Sequence, residues 1–196
     1  MLDLREKLKV WNDLPQDTPE QQLWADNYYA DEILPRAQEN FCGHYGTKNY
    51  PRYYGMFLLL GDHWEWSVFT PALMHPANIH VICNREASSQ IRYIQENLQL
   101  DDDAVVWTEV KDQDTAALYR VMKKQHDIWD SMGRCAIDIT GRSRVMGAAA
   151  AMAAERMNID IYDIRAARNA NWGRLQPGTE TLIRIPSVTS VLGDIF

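Results

Sequence analysis

The stretch that decides the fold is Cys135-Ala-Ile-Asp-Ile-Thr-Gly-Arg-Ser-Arg-Val-Met-Gly-Ala-Ala-Ala-Ala-Met-Ala-Ala154. Its first residues are apolar and predict a buried strand, and its last residues are small and predict a closely packed helix. Between them lies the segment Thr140-Gly141-Arg142-Ser143-Arg144. A helix start offers unpaired N–H groups and the positive end of the helix dipole, and arginine adds planar donors suited to phosphate. The segment therefore predicts an anion-binding turn; the alternative is an ordinary helix capped by Ser143 or Thr140.

Six apolar runs of strand length predict the sheet. They occupy residues 56–60, 78–83, 104–110, 134–139, 159–164 and 181–186. Helical periodicity over 87–99, 113–130 and 143–157 separates several of these runs. Strands that alternate with helices predict an α/β, Rossmann-like fold, in which a mostly parallel sheet has helices on both faces. The last one or two strands are expected as additions at the edge.

The chain ahead of the first strand predicts a helical extension. Apolar spacing predicts one helix over 3–14 and another over 20–41 with a kink at Pro35, followed by a loop over 42–54. We therefore expect an N-terminal helical extension, residues 1–50, and a Rossmann-like domain, residues 51–196. Large apolar side chains of the extension form either a packed core or a surface for an effector protein partner; these are Trp11, Leu23, Trp24, Tyr28 and Tyr29.

Composition and charge exclude several classes of protein. The chain has 196 residues, and its three cysteines have neither disulfide nor zinc spacing. No apolar run is long enough to span a membrane, and the first residues lack a signal-peptide core; we expect a cytoplasmic protein without a membrane segment. The net charge of −7 argues against general DNA binding. The charge is uneven, because residues 134–196 carry eight Arg, no Lys and six acidic residues.

Ligands of such sheets bind beyond the carboxyl ends of the strands. Strand one is followed by Gly61-Asp-His-Trp-Glu-Trp-Ser67, strand two by Asn84-Arg85, and strand five by a segment that contains Arg168. Indole rings stack on bases and polar side chains hydrogen-bond base edges, so the first of these segments is a candidate base-binding loop. The alternatives are a core tryptophan with solvated charges for the first segment and solvated surface loops for the other two.

Known cofactor motifs are absent from the sequence. No Gly-x-Gly-x-x-Gly follows strand one, and no Gly-Lys-Ser/Thr P-loop occurs. No His, Cys and Asp cluster has the spacing of metal ligands. The sequence therefore predicts no cofactor and no metal.

One family resembles this arrangement. Asp138-Ile-Thr-Gly-Arg-Ser-Arg-Val-Met146, with the Ala-rich helix after it, resembles the second motif of CRISPR-associated Rossmann-fold (CARF) domains, commonly Asp-x-Thr-Gly-Gly-Thr-Lys/Arg-x-Met. Residues 58–61, Glu65 and 76–84 are similar to the first strand, glycine turn, short helix and second strand of the family. Residues 176–194 are similar to the closing strands of some members. Arg142 departs from the pattern, because the family often has a second glycine there.

The resemblance implies a homodimer that binds a cyclic oligoadenylate of type III CRISPR antiviral signalling across its two-fold cleft, with cyclic tetra-adenylate as the expected ring. Some members cleave the ring slowly without metal, and that role falls here on Arg142, Ser143 and Arg144, with His63 as a proton carrier. Two alternatives stay open: a non-catalytic sensor that regulates an effector protein, and an unrelated α/β enzyme acting on a small nucleotide phosphate. The predicted ligand-binding residues are Gly61, Asp62, Trp64, Glu65, Ser67, Asn84, Arg85, Thr140, Gly141, Met146 and Arg168.

Overall fold

A computed structural model describes residues 3–141, 143–167 and 176–192. The strands are β1 (Gly55–Leu60), β2 (Asn78–Cys83), β3 (Val105–Glu109), β4 (Cys135–Asp138), β5 (Asp160–Arg165) and β6 (Thr181–Ile185). The helices are α1 (Leu4–Asn12), α2 (Pro19–Tyr28), α3 (Leu34–Tyr45), α4 (Phe69–Met74), α5 (Ile91–Leu98), α6 (Thr115–Trp129), α7 (Arg144–Arg156) and α8 (Val188–Leu192). All six predicted strands are confirmed. The short helix α4 agrees with the short helix that the resemblance implies between the first two strands, and α8 is additional to the prediction.

The six strands form one sheet in the order β3-β2-β1-β4-β5-β6. β1 runs parallel to both β2 and β4, and the pairs β2–β3 and β4–β5 are also parallel. β6 lies at one edge, as expected for a late addition. This confirms the predicted Rossmann-like α/β fold. Because β1 and β4 are neighbours, the loop after β1 and the turn after β4 leave the sheet side by side.

The core is built around the central strand. All six residues of β1 are buried, and successive side chains of a strand point to opposite faces, so both faces of β1 are covered. Phe57 and Leu59 belong to a cluster that also contains Leu118 of α6 and Ala150 of α7. The small side chains of α7 let that helix pack closely over β1 and β4. This packing holds the first turn of α7 at the carboxyl end of β4.

The described residues divide into two compact units. The first is Met1–Lys48 with Arg165–Thr181, and the second is Asn49–Ile164 with Leu182–Phe196. The boundary at residue 50 stays a prediction. Residues 165–167 and 176–181, which the sequence assigned to the Rossmann-like part, cluster here with the first unit.

In the first unit, α1 and α2 pack through a buried tryptophan. The Trp11 indole N–H donates to the carbonyl of Ala25 at 3.1 Å, and the Trp11 ring lies 5.3 Å from the ring of Tyr29. Both aromatic side chains are buried, so they belong to the core and not to a surface for a partner. Leu23 and Trp24 are 61% and 55% exposed, so these two of the five predicted side chains are accessible to a partner.

The helix break differs from the predicted kink at Pro35. A π-helical segment, Tyr29–Ile33, connects α2 to α3, and the Leu34 N–H donates to the carbonyl of Tyr29. Pro35 has no N–H for the preceding turn, and the wider π turn ahead of it makes room for its ring. The chain stays helical to Tyr45, so the loop predicted from residue 42 begins later.

Candidate functional site

The turn after β4 rests directly on the backbone of β1. A Cβ atom on Gly141 would lie 2.0 Å from the carbonyl oxygen of Leu59 and 3.2 Å from the hydroxyl oxygen of Ser67. Only glycine allows this approach, because a real Cβ never comes so near a backbone atom. The predicted anion-binding turn and the predicted base-binding loop, which ends at Ser67, are therefore in contact.

A buried carboxylate lies beneath this turn. Asp138 Oδ1 accepts a hydrogen bond from the Thr140 N–H at 2.8 Å, and Oδ2 accepts one from the Thr70 hydroxyl on α4. Thr140 Oγ1 in turn accepts the N–H of Ile164 on β5 at 2.8 Å. Burial raises the pKa of Asp138 to about 6, although the hydrogen bonds from Thr140 and Thr70 act to lower it. The turn is thus tied to β4, β5 and α4.

Helix α7 begins at the turn, as predicted. Ser143 is its N-cap, and the Ser143 Oγ accepts a hydrogen bond from the Met146 N–H at 3.4 Å. Ser143 and Arg144 are both exposed, so the helix start is open to a ligand. The predicted roles of Arg142 and Arg168 fall on positions outside the described residues. The cap and the anion site are compatible, because capping uses the Ser143 oxygen as an acceptor and leaves its hydroxyl hydrogen as a donor.

The loop after β1 carries two stacked ring pairs. The ring of His63 lies 5.7 Å from that of Trp66 with 20° between the planes. The ring of Trp64 lies 5.5 Å from that of Tyr93, on α5, with 26° between the planes. His63, Trp64 and Trp66 are half-buried, and the Arg92 guanidinium lies 4.6 Å from the centroid of the Tyr93 ring, so these flat rings are partly accessible at the carboxyl edge of the sheet. Flat faces of this kind suit the stacking of a nucleobase.

Gln90, the residue immediately before α5, holds this loop. The Gln90 side chain accepts the N–H of Trp64 at 3.1 Å and donates to the carbonyl of Asp62 at 3.3 Å. Asp62 is exposed and Glu65 is half-buried. Ser67 is buried, and its Oγ finds no hydrogen-bond partner among the described residues. The loop therefore combines a fixed backbone with a buried hydroxyl beside Gly141.

The remaining predicted residues are placed less favourably for a ligand. The Asn84 side chain accepts the N–H of Ala87 at 2.9 Å and donates to Asp112 at 3.2 Å, which makes it the cap of its own turn. Arg85 is exposed. Met146 is fully buried in the core, so it is not accessible to a ligand at this edge. Ligand binding by these residues stays a prediction.

Three residues of the site escaped sequence reasoning. Gln90 and Tyr93 follow strand two at the start of a helix. An aromatic residue in the first turn of that helix is the sequence signal for a second ring near the loop. Thr70 carries no sequence signal, because it sits in an apolar segment and meets Asp138 only in the folded chain.

Across the described ranges, no cluster of three or more His, Cys, Asp or Glu side chains could hold a metal ion. No helix in those ranges is both long enough and apolar enough to cross a membrane.

Comparison with known proteins supports the fold through structure. No protein-family model matches the sequence, and no curated protein matches it. The structure is similar to Can2 of Sulfobacillus thermosulfidooxidans, solved in complex with cyclic tetra-adenylate, with a TM-score of 0.52 and 14% sequence identity. It is also similar to Csm6 of Enterococcus italicus, solved bound to cyclic hexa-2′-fluoro-hexa-dAMP, with a TM-score of 0.51 and 10% identity.

At these identities the two similarities concern the fold, and they agree with the Rossmann-like α/β fold that the resemblance implies. Each alignment covers 72% of this chain, but only 39% of the Can2 chain and 45% of the Csm6 chain. The chain therefore spans less than half the length of either neighbour. The fold and the site together define a Rossmann-like α/β protein in which the turn at the start of α7 lies beside an aromatic loop.

Proposed function

We propose that this protein binds a cyclic oligoadenylate, with cyclic tetra-adenylate as the ring, in type III CRISPR antiviral signalling. The observation that carries the proposal is the close approach of Gly141 to Leu59 and Ser67, which joins the helix-start turn to the aromatic loop. The fold neighbours support it, because both were solved with cyclic oligonucleotides bound.

The chemistry of the site fits such a ring. The N–H groups and dipole of the α7 start, together with the exposed Arg144, favour the phosphates. The stacked pairs His63–Trp66 and Trp64–Tyr93 offer faces for adenines. A site that took only a small nucleotide phosphate would need the turn but not two aromatic pairs.

The first test compares ligands by thermal shift and calorimetry. A ligand that binds only the native state raises the melting temperature. We expect cyclic tetra-adenylate to raise it more than AMP or linear tetra-adenylate does, with one ring bound for every two chains. A shift with AMP and none with the ring would replace this proposal with that of a small-nucleotide enzyme.

We propose slow, metal-independent cleavage as a second activity of the same site. Such cleavage requires a ribose 2′-OH in line with its phosphate, cations for the developing charge, and a proton carrier, for which His63 is the candidate. Excess protein incubated with the ring and EDTA is expected to yield linear or 2′,3′-cyclic products. A bound ring that stays intact would instead indicate a sensor that acts on an effector protein.

The second copy of the chain is proposed to dock on α7. The exposed positions Val145, Ala148 and Met152 follow one another at intervals of three and four residues, and all three are uncharged. Val145 is 53% exposed and Met152 is 69% exposed. Because this stripe starts next to the Ser143 turn, a two-fold axis beside it would bring two turns to one symmetric ring.

Met152→Glu is therefore expected to convert a dimer into a monomer, because it places two charges in an apolar interface. Sedimentation velocity measures the change in mass, and calorimetry should show a loss of ring affinity of about tenfold or more. Met132→Glu is the matched control, since Met132 is 61% exposed but lies in the turn between α6 and β4, at the opposite end of β4 from Ser143. A Met152→Glu protein that stays dimeric would place the interface elsewhere.

A further inference from the structure

We infer that Asp138 is a positioning residue for the ring-binding turn and that Thr70 acts through it. This inference rests on the proposed function, but its geometry is independent of any ligand. Neither residue needs to touch the ring. Their effect on binding is exerted through the conformation of Thr140 and Gly141.

The geometry is that of one carboxylate shared by two elements. Asp138 is 2% exposed, and its two oxygens face different partners: the Thr140 N–H in the turn and the Thr70 hydroxyl on α4. Thr140 and Thr70 lie far apart in the sequence, so the carboxylate cross-links the turn to the helix that follows the aromatic loop. Hydrogen bonds to an ionised group are stronger than neutral ones, which makes the cross-link a firm one.

The same carboxylate is electrostatically unfavourable for an anionic ligand. It lies two residues before the turn that is proposed to receive phosphate, and β1 and α4 carry no titratable side chain to offset it. The nearby charged group that acts on it from β5, Asp163, is also acidic. A role in positioning and a role in repulsion therefore predict opposite effects on ring binding when the charge is removed.

The charge-neutral variant Asp138→Asn separates the two roles. Asparagine keeps the shape and one acceptor but loses the charge-assisted bonds. Positioning predicts that cyclic tetra-adenylate binds about fivefold or more weakly. Repulsion alone predicts tighter binding. Unchanged or tighter binding in calorimetry would overturn the inference.

The pair Thr70→Val and Thr70→Ser tests the partner. Valine keeps the shape of threonine without the hydroxyl, and serine keeps the hydroxyl, so we expect weaker ring binding with valine and recovery to within about twofold with serine. Thermal melts of both variants establish that they fold. Equal binding by the two variants would remove Thr70 from the role.

Hydrogen exchange of the ligand-free protein decides the inference even if no ring binds. In Thr70→Val and Asp138→Asn, the peptide covering residues 139–146 is expected to exchange about tenfold faster, with the α6 peptide unchanged. Faster exchange with no ring binding by the natural chain would reject the proposed function and keep the positioning role. Unchanged exchange at the turn would reject the positioning role, whatever the ring does.

Discussion

Gly141→Ala is expected to lower the free energy of unfolding by about 3 kcal/mol and to abolish ring binding. The added methyl group would lie 2.0 Å from the carbonyl oxygen of Leu59. That oxygen belongs to the central strand, so it cannot move aside as the tip of a side chain can. The turn must lift away from β1 instead, which separates it from the loop that ends at Ser67. Chemical denaturation measures the loss of stability, and calorimetry measures the loss of binding.

Gly43→Ala is the matched control for this substitution. Gly43 lies inside α3, and a Cβ there would meet nothing within 4 Å. Alanine is the better helix former, so this variant is expected to gain about 0.5–1 kcal/mol of stability. A Gly141→Ala protein as stable as the natural one, with ring binding intact, would show that the turn does not rest on β1 as described.

Arg144→Ala is expected to weaken ring binding by more than about 1 kcal/mol while leaving the fold intact. Arg144 is exposed at the first position of α7, and no ion pair holds it among the described residues. Its guanidinium is therefore available to a phosphate, and its loss costs the native state little. The ring affinity of the natural protein should also fall more steeply with added salt than that of the variant, because the variant makes one fewer contact to phosphate.

Arg156→Ala serves as the comparison for Arg144→Ala. Arg156 is an exposed arginine in the last turn of the same helix, at the end away from the proposed site. Its removal is expected to cost a few tenths of a kcal/mol in stability, about what a cation at a helix C-terminus contributes, and to leave the ring affinity unchanged. Equal affinity of Arg144→Ala and the natural chain would mean that the ring lies on a different turn.

The sheet could be predicted because its information is local. A strand buried on both faces is a continuous apolar run, as in β1, and a turn that starts a helix shows its glycine and its cap, as at Gly141 and Ser143. The π-helical segment before Pro35 could not be predicted, since one extra residue in a turn leaves the apolar pattern almost unchanged.

The supports of the site could not be predicted for a different reason. The Thr70–Asp138 hydrogen bond joins residues 68 positions apart, and the Gln90–Trp64 bond joins residues 26 apart. No spacing rule connects such positions; only the packing of strands and helices brings them together. The sequence could thus indicate which segments meet a ligand, but not which side chains hold those segments in place.

The Gln90 side-chain amide links the aromatic loop to the start of α5, so we expect the two segments to move together. Its oxygen accepts the Trp64 N–H and its NH2 group donates to the Asp62 carbonyl, so it binds the loop backbone on both sides of His63. A ligand that displaces the loop must either break both Gln90 hydrogen bonds or move the start of α5 together with the loop. Since Tyr93 of that helix also stacks on Trp64, the second course disrupts fewer contacts. A ligand that binds at the carboxyl ends of the strands and displaces the loop would then also displace the start of α5.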